Sequence, residues 1–211
     1  MKEQTPYYCI MAAAGTSSRM GGTWKLMLPY GDGTIIEASL RAAAACCRTI
    51  IVVTGFRAEE LESYIEGLSF DHAVVTTVRN DEYPKGMFSS IRRGVAKMRK
   101  IEGREPGTPF FIALADMPAV TTAGYQYLCR ESGRAEVIRP LFQGLPAHPV
   151  LCSYTVGETI MGEPDDSAMK RVLAQHTLLE LPVSNRGQVQ DVDTPEAYRM
   201  AVEQEKGTRE Q

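Results

Sequence analysis

Short apolar runs rich in β-branched residues alternate along this chain with segments whose apolar residues recur at helical spacing. That alternation is its strongest constraint. Residues 7–13 (YYCIMAA), 49–55 (TIIVVTG), 72–78 (HAVVTTV), 108–115 (TPFFIALA) and 177–183 (TLLELPV) read as strands. Residues 34–47, 57–68, 88–100, 121–132, 165–176 and 193–205 read as helices. A strand that is apolar on both sides must be covered on both faces, which points to a mostly parallel sheet between two helical layers. The expected fold is therefore single-domain, three-layer α/β/α and Rossmann-like, spanning residues 1–211 with its core from about 7 to 205.

Local signals sharpen several boundaries. Thr34 and Glu37 have the spacing of a capping box, and Thr121 and Thr122 can cap the helix they open. Thr194, Pro195 and Glu196 form a well-signalled helix start. One of the aspartates of DDSAMKRVLAQH is expected to cap that helix. Residues 135–153 read as two short strands around a turn, and KGTREQ as a polar tail that frays.

Charge and cysteine usage exclude whole classes. The chain has 23 basic and 26 acidic residues, a net charge of −3, which argues against nucleic acid as partner. No uncharged apolar run approaches the roughly 20 residues of a membrane span, and residues 1–6 lack a signal-peptide core, so a cytoplasmic protein without membrane contact is expected. Cysteines at 9, 46, 47, 129 and 152 are odd in number and form no CxxC pair, which fits reduced, buried thiols.

In open parallel sheets, ligands sit at the carboxyl ends of the strands, so the loops that follow strands should carry the chemistry. After the first strand, Ala12 to Gly22 offers backbone N–H groups that large side chains do not obstruct, an arrangement able to cradle an anion. Arg19 can add a bidentate contact to phosphate and Lys25 a mobile point charge. Neither GxxxxGK[ST] nor GxGxxG is present, and the stretch also reads as a glycine-rich connection with two solvated cations. Asp116 follows another strand, where a carboxylate can hold a hard cation such as Mg²⁺ or simply cap a helix. Asp191 and Asp193 would share one face in extended geometry and repel unless a cation or donors compensate. Asn80, Lys85, Gly86, Ser89 and Ser90 lead into a helix whose start can bind a phosphate or a base edge, unless Ser89 only caps it. His148 sits in a proline-stiffened turn.

Together these segments resemble a known family. AAAGTSSRMGGTWKLMLPYG (12–31) resembles the signature L-A-A-G-x-S-x-R-M-G-x-x-K-L of nucleotidylyltransferases with a molybdenum-cofactor transferase-like fold. NDEYPKGMFSSIRRGV, LADMPAVT, PLFQGLPAHPVL and DVDTPEAY follow in the order expected of the molybdenum cofactor cytidylyltransferase family. The resemblance runs from about Cys9 to Tyr198 and implies a GT-A-like nucleotidyltransferase fold. It implies that Ala12, Ala13, Ala14, Gly15, Thr16, Arg19 and Lys25 handle the triphosphate, with Asn80, Gly86 and Ser90 near base and ribose. Arg19, Lys25 and Asp116 would be catalytic, Asp116 with Asp193 or Asp191 would hold Mg²⁺, and His148 would face the acceptor. Departures are Ala147 where a glycine is usual, EPDDSAMK in place of a G-D-x-G-A-R-like stretch, and Trp24 in place of a smaller residue.

The expected reaction moves CMP from CTP to the phosphate of a molybdopterin-type acceptor, with a molybdenum hydroxylase as client. Its rivals are a GTP-using or a sugar- or polyol-phosphate nucleotidylyltransferase, and a non-catalytic carrier of the molybdenum cofactor. Ala14 leaves less room beside the base than a glycine would, which favours cytosine.

Overall fold

The computed structural model describes residues 7–101, 107–164 and 166–209. In chain order the elements are β1 (Tyr7–Ala12), β2 (Pro29–Tyr30), β3 (Gly33–Thr34), α1 (Ile35–Ala44), β4 (Cys47–Thr54), α2 (Ala58–Glu66) and β5 (Val74–Arg79). They continue with α3 (Met87–Met98), β6 (Phe110–Leu114), α4 (Thr122–Arg130), β7 (Val137–Phe142), β8 (Leu145–Pro146) and β9 (Val150–Cys152). The last are α5 (Tyr154–Gly162), α6 (Met169–Leu173), β10 (Leu178–Pro182) and α7 (Pro195–Arg209).

An eight-stranded sheet in the order β10-β7-β9-β6-β1-β4-β5, with β8 paired to β7, runs through the molecule. β1 lies at its centre, parallel to β4 on one side (Cys9 opposite Ile50) and to β6 on the other (Cys9 opposite Phe111). β9 is antiparallel to both β6 and β7. Alternate side chains of the central strands enter two separate cores, as the twofold period of a strand requires. Cys9, Met11, Ile50, Val52 and Phe111 pack with residues of α1, α2, α4 and α7. Tyr8, Ile10, Ile51, Val53 and Phe110 pack with residues of α3, α5 and α6. This is the three-layer arrangement expected from the alternation. Gly94 lets α3 lie close on the sheet, because a Cβ there would stand 2.4 Å from Ile10 Cγ2.

Tertiary packing moved several predicted boundaries. The first helix stops at Ala44, and Cys47 and Arg48 belong to β4, because Cys47 pairs with Tyr7. Gly67 caps α2 rather than lying inside its last turn. Thr34 Oγ1 accepts from Glu37 N at 3.3 Å, but the Glu37 carboxylate completes no box and pairs with Arg41 and the Tyr64 hydroxyl. Residues 135–153 hold three strands rather than two. α5 was not anticipated: its β-branched and glycine-containing sequence is a weak helix former, and burial of Val156 and Ile160 stabilises it. α6 is shorter than expected and opens on Ala168 with no side-chain cap; Asp165, one of the two expected caps, lies outside the described residues. The final helix continues through Lys206 to Arg209, where a frayed tail was expected. Thr121 and Thr194 cap as predicted, accepting from Gly124 N and Ala197 N. All five cysteines are free thiols. Among the described residues no helix is long and apolar enough to cross a membrane.

Chain direction fixes where a site can form. From β1 the chain builds outward through β4 to β5, then α3 carries it back across the sheet to β6 on β1's other side. The strand order therefore reverses between β1 and β6, and the loops leaving their carboxyl ends diverge there. Those loops contain residues 13–25 and 115–121.

Candidate active site

Backbone pairing extends past the strand ends and sets the frame. Ala13 N donates to Val53 O at 2.9 Å, and Ala115 N donates to Ala12 O at 3.0 Å. Asp116 thus emerges directly beside the loop that follows β1. Val192 N donates to Asp116 O at 2.9 Å, and this bond draws the Asp191-Val192-Asp193 segment in from far along the chain. Val192 is buried, while its two aspartate neighbours face the site.

The first loop curves tightly. Ser17, Gly21 and Gly22 take left-handed φ values of 55°, 61° and 90°, around a single turn of 3-10 helix at Ser18–Met20. Alternation of right- and left-handed residues turns successive N–H groups toward a common point, which suits an anion. Ala13 and Ala14 are buried, Gly15 and Thr16 exposed, and the space beside the Gly15 Cα is open. A second 3-10 turn, Lys25–Met27, presents the lysine.

Lys25 is the centre of the cluster. Its side chain is only 9% exposed, and its Nζ contacts Asp116 Oδ2 and, at 2.5 Å, Asp193 Oδ1. Arg19 Nη2 reaches Asp193 Oδ2 at 2.6 Å from a largely exposed position. Burial would lower the Lys25 pKa, but the two carboxylates outweigh it and hold the pKa above its ordinary value. Burial likewise raises Asp193, yet the Lys25 hydrogen bond and charge, helped by Arg19, leave its carboxyl below the usual range. Asp191 goes the other way: burial and the like charges of Asp193 and Asp116 raise it. Two cations thus face three carboxylates, and one of the carboxylates is underpaired.

The other predicted residues fall into two further groups. Asn80 is buried and donates from Nδ2 to Ser89 Oγ at 2.9 Å and Ser90 Oγ at 3.0 Å, while its Oδ1 accepts from Glu82 N. These bonds pin the loop after β5 to the start of α3. The N-cap of α3 is Gly86, with φ of 109° and open space beside it, and not Ser89, whose hydroxyl donates to Gly86 O. His148 is tied in by its backbone, N–H to Gln188 O at 2.8 Å and C=O from Gln188 Nε2 at 3.2 Å. Its imidazole borders a small enclosed space with Ser39, Met117 and Tyr125, and burial lowers its pKa, so the ring is neutral near pH 7.

Sequence reading missed residues whose importance comes only from close approach. A Cβ on Gly55 would meet Ala14 Cβ at 2.7 Å and Tyr83 Cβ at 2.9 Å, so glycine lets the loops after β1, β4 and β5 converge. A Cβ on Gly187 would stand 2.3 Å from Ala119 O, which fits the loop after β6 against the segment carrying Gln188. Gly55 was legible only as a strand terminator, and Gly187 carried no local signal.

With this geometry the similarity to known proteins can be placed. Residues 9–180 match the MobA-like NTP transferase domain. The chain belongs to that family. It is 32% identical over 198 residues to the molybdenum cofactor cytidylyltransferase of Escherichia coli (strain K12), covering 92% of this chain and 95% of that one. Among solved structures, Rv0371c from Mycobacterium tuberculosis H37Rv superposes with a TM-score of 0.75 at 26% identity, covering 93% of this chain and 97% of that chain. A nucleotidyl transferase from Methanothermobacter thermautotroptrophicus shares the fold, with a TM-score of 0.77 at 23% identity over 96% of this chain and 98% of that one. The chain is accordingly a nucleotidyltransferase-family enzyme, and the resemblance noted in the sequence holds across the whole fold.

Proposed function

We propose that this enzyme transfers CMP from CTP to the phosphate monoester of a molybdopterin-type acceptor, with Mg²⁺ as the metal and pyrophosphate as the second product. The observation that carries the reading is Lys25 held between Asp116 and Asp193 at the reversal point of the strand order. The named activity of the Escherichia coli relative supports the choice of donor and acceptor.

An acceptor phosphate oxygen attacks the α-phosphorus in line, a new P–O bond forms, and the bond to the bridging oxygen breaks with its electron pair leaving on pyrophosphate. The attacking oxygen is already anionic near neutral pH, so no general base is required. The chain's task is positioning and charge compensation. The 12–16 backbone and Arg19 hold the phosphates, and Lys25 neutralises charge that builds on the leaving group. Asn80 and Ser90 brace the loop that brings Gly86 toward base and ribose, and His148 would lie toward the acceptor.

The donor set fits a divalent cation. The Lys25 ammonium group already lies between Asp116 and Asp193, so a positive charge bridges this pair of carboxylates. That pattern matches Mg²⁺, which uses one or two carboxylates and takes its remaining ligands from water and substrate phosphates. Asp116 and Asp193, with Asp191 beside them, would hold it, and it would supply further positive charge at the reacting phosphates.

The test is pyrophosphate release with Mg²⁺ from CTP, GTP, ATP and UTP, each with and without molybdopterin. Release from CTP only when molybdopterin is present is the expected result. A preference for GTP would overturn the donor, and nucleotide binding without release would favour a different acceptor or a carrier.

A further inference from the structure

Lys25 opens a three-residue 3-10 turn at the end of a loop with three left-handed residues, and its backbone N–H reaches Ser17 Oγ at 3.4 Å. Trp24, the chain's only tryptophan, comes immediately before it and packs against the larger apolar cluster. Its carbonyl accepts from Met27 N at 3.3 Å and so closes the turn. The Arg57 guanidinium lies 4.5 Å from the Trp24 ring centroid, well within cation–π range.

Arg57 belongs to a different loop, the one leaving β4. It is held on its own side by a fork to Glu60, with Nε to Oε1 at 2.7 Å and Nη2 contacting Oε2. Its φ of 51° is left-handed, a conformation that a residue with a Cβ adopts only when its surroundings impose it. The two loops are also tied where Phe56 N donates to Ala14 O at 3.3 Å, beside the close approach at Gly55. The backbone bond joins the near end of the phosphate loop to the loop after β4, and the Arg57–Trp24 contact joins the far end, next to Lys25.

We propose that Trp24 and Arg57 form a clamp that positions Lys25: the guanidinium closes over the indole and keeps the turn from swinging the ammonium away from Asp116 and Asp193. Both are positioning residues that act through Lys25. The consequence for turnover rests on the nucleotidyl-transfer function proposed above, whereas the placement of Lys25 does not.

Trace acetylation of the full chain with acetic anhydride, read by peptide mass spectrometry, measures how available the Lys25 amine is relative to exposed Lys100. R57M and W24L are expected to raise Lys25 labelling about two- to fivefold, the span of an exposed cation–π contact. W24F, which keeps an aromatic face under the guanidinium, is expected to label like the wild type. Unchanged labelling in R57M would overturn the clamp, as would W24F labelling as heavily as W24L. R57M alters only an exposed side chain, so it decides the matter even if W24L fails to fold. In the pyrophosphate assay R57M should lower kcat while leaving KM for the nucleotide unchanged. Raised labelling in R57M with a wild type that turns over no nucleotide would leave the clamp standing and remove the nucleotidyl-transfer reading. Wild-type turnover with unchanged labelling would do the reverse.

Discussion

Two polar networks lie at opposite ends of the sheet, and they differ in how completely their charges are satisfied. At the amino ends of β7 and β10, Glu136 accepts from Thr177 N at 3.1 Å and from the hydroxyls of Thr155 and Thr177, and it meets His176 Nδ1 at 3.0 Å. His176 Nε2 reaches Thr159 Oγ1 at 2.9 Å, so strands and α5 are laced together. The Thr177 backbone bond, the His176 contact and the Thr155 hydroxyl hold the Glu136 pKa down to about 2. At the carboxyl ends, Asp191 is raised by burial and by neighbours of its own sign, while Asp193 is lowered by Lys25. One network is a closed structural knot. The other keeps unbalanced charge where a polyanion and a cation can complete it. Both networks shift the pKa values of their carboxylates, but only the one at the carboxyl ends shifts neighbouring groups in opposite directions.

The contrast can be broken most decisively through activity. Asp116→Asn and Lys25→Met should each reduce pyrophosphate release by ~10²–10³-fold, the scale of losing one preorganised electrostatic contact in a transition state. Glu136→Gln should leave the same rate within about twofold, since its partners are Thr155, His176 and Thr177 and not Lys25, Asp116 or Asp193. A large loss in Glu136→Gln would erase the functional distinction between the two ends.

Stability against pH sharpens the comparison further. Lys25 holds the Asp193 pKa low, so the stabilisation exists above the ordinary carboxylate value and is lost as pH falls through the lowered one. Lys25→Met should therefore lower Tm by roughly 3–8 °C at pH 7, with the deficit narrowing as the carboxylates protonate. Glu136 follows the same sign: its contribution is present above about 4.5 and fades as pH approaches about 2. Glu136→Gln should cost about 1–2 °C at pH 7 and nothing near pH 2, measured by thermal melts across that interval. Asp191 has the opposite sign. Its folded pKa lies above the unfolded one, so its ionised form works against folding at neutral pH, and that penalty disappears below the unfolded value. Asp191→Asn should raise Tm by about 1 °C at pH 7 and leave it unchanged at pH 3.

Much of this architecture was readable because it rests on local pattern. β1, β4 and β6 are apolar on both faces, and a strand buried on both faces has to be. Thr121 and Thr194 cap because a helix start leaves N–H groups that a neighbouring hydroxyl can satisfy. The glycine-bearing loop after β1 and the aspartate after β6 stood out because such residues pack a core poorly. α5 was invisible for the converse reason, since its helicity comes from contact with the sheet and α3 rather than from its own residues. The short α6 and the extra strand at Leu145–Pro146 were set by neighbours as well.

What the sequence determined by itself was the layer architecture, the type of loop at each strand end and the chemical character of the site residues, all properties of a few consecutive side chains. Only the tertiary structure decided which of them meet. Lys25 and Asp116 are 91 residues apart, and Lys25 and Asp193 are 168 apart. Their meeting depends on β6 pairing beside β1 and on one backbone bond from Val192 to Asp116. The Trp24–Arg57 contact and the glycines at 55 and 187 depend in the same way on loops converging from separate strands. Periodicity and capping act over one or two turns of chain, whereas strand order and charge pairing minimise the energy of the whole packed sheet, and no local window contains that sum.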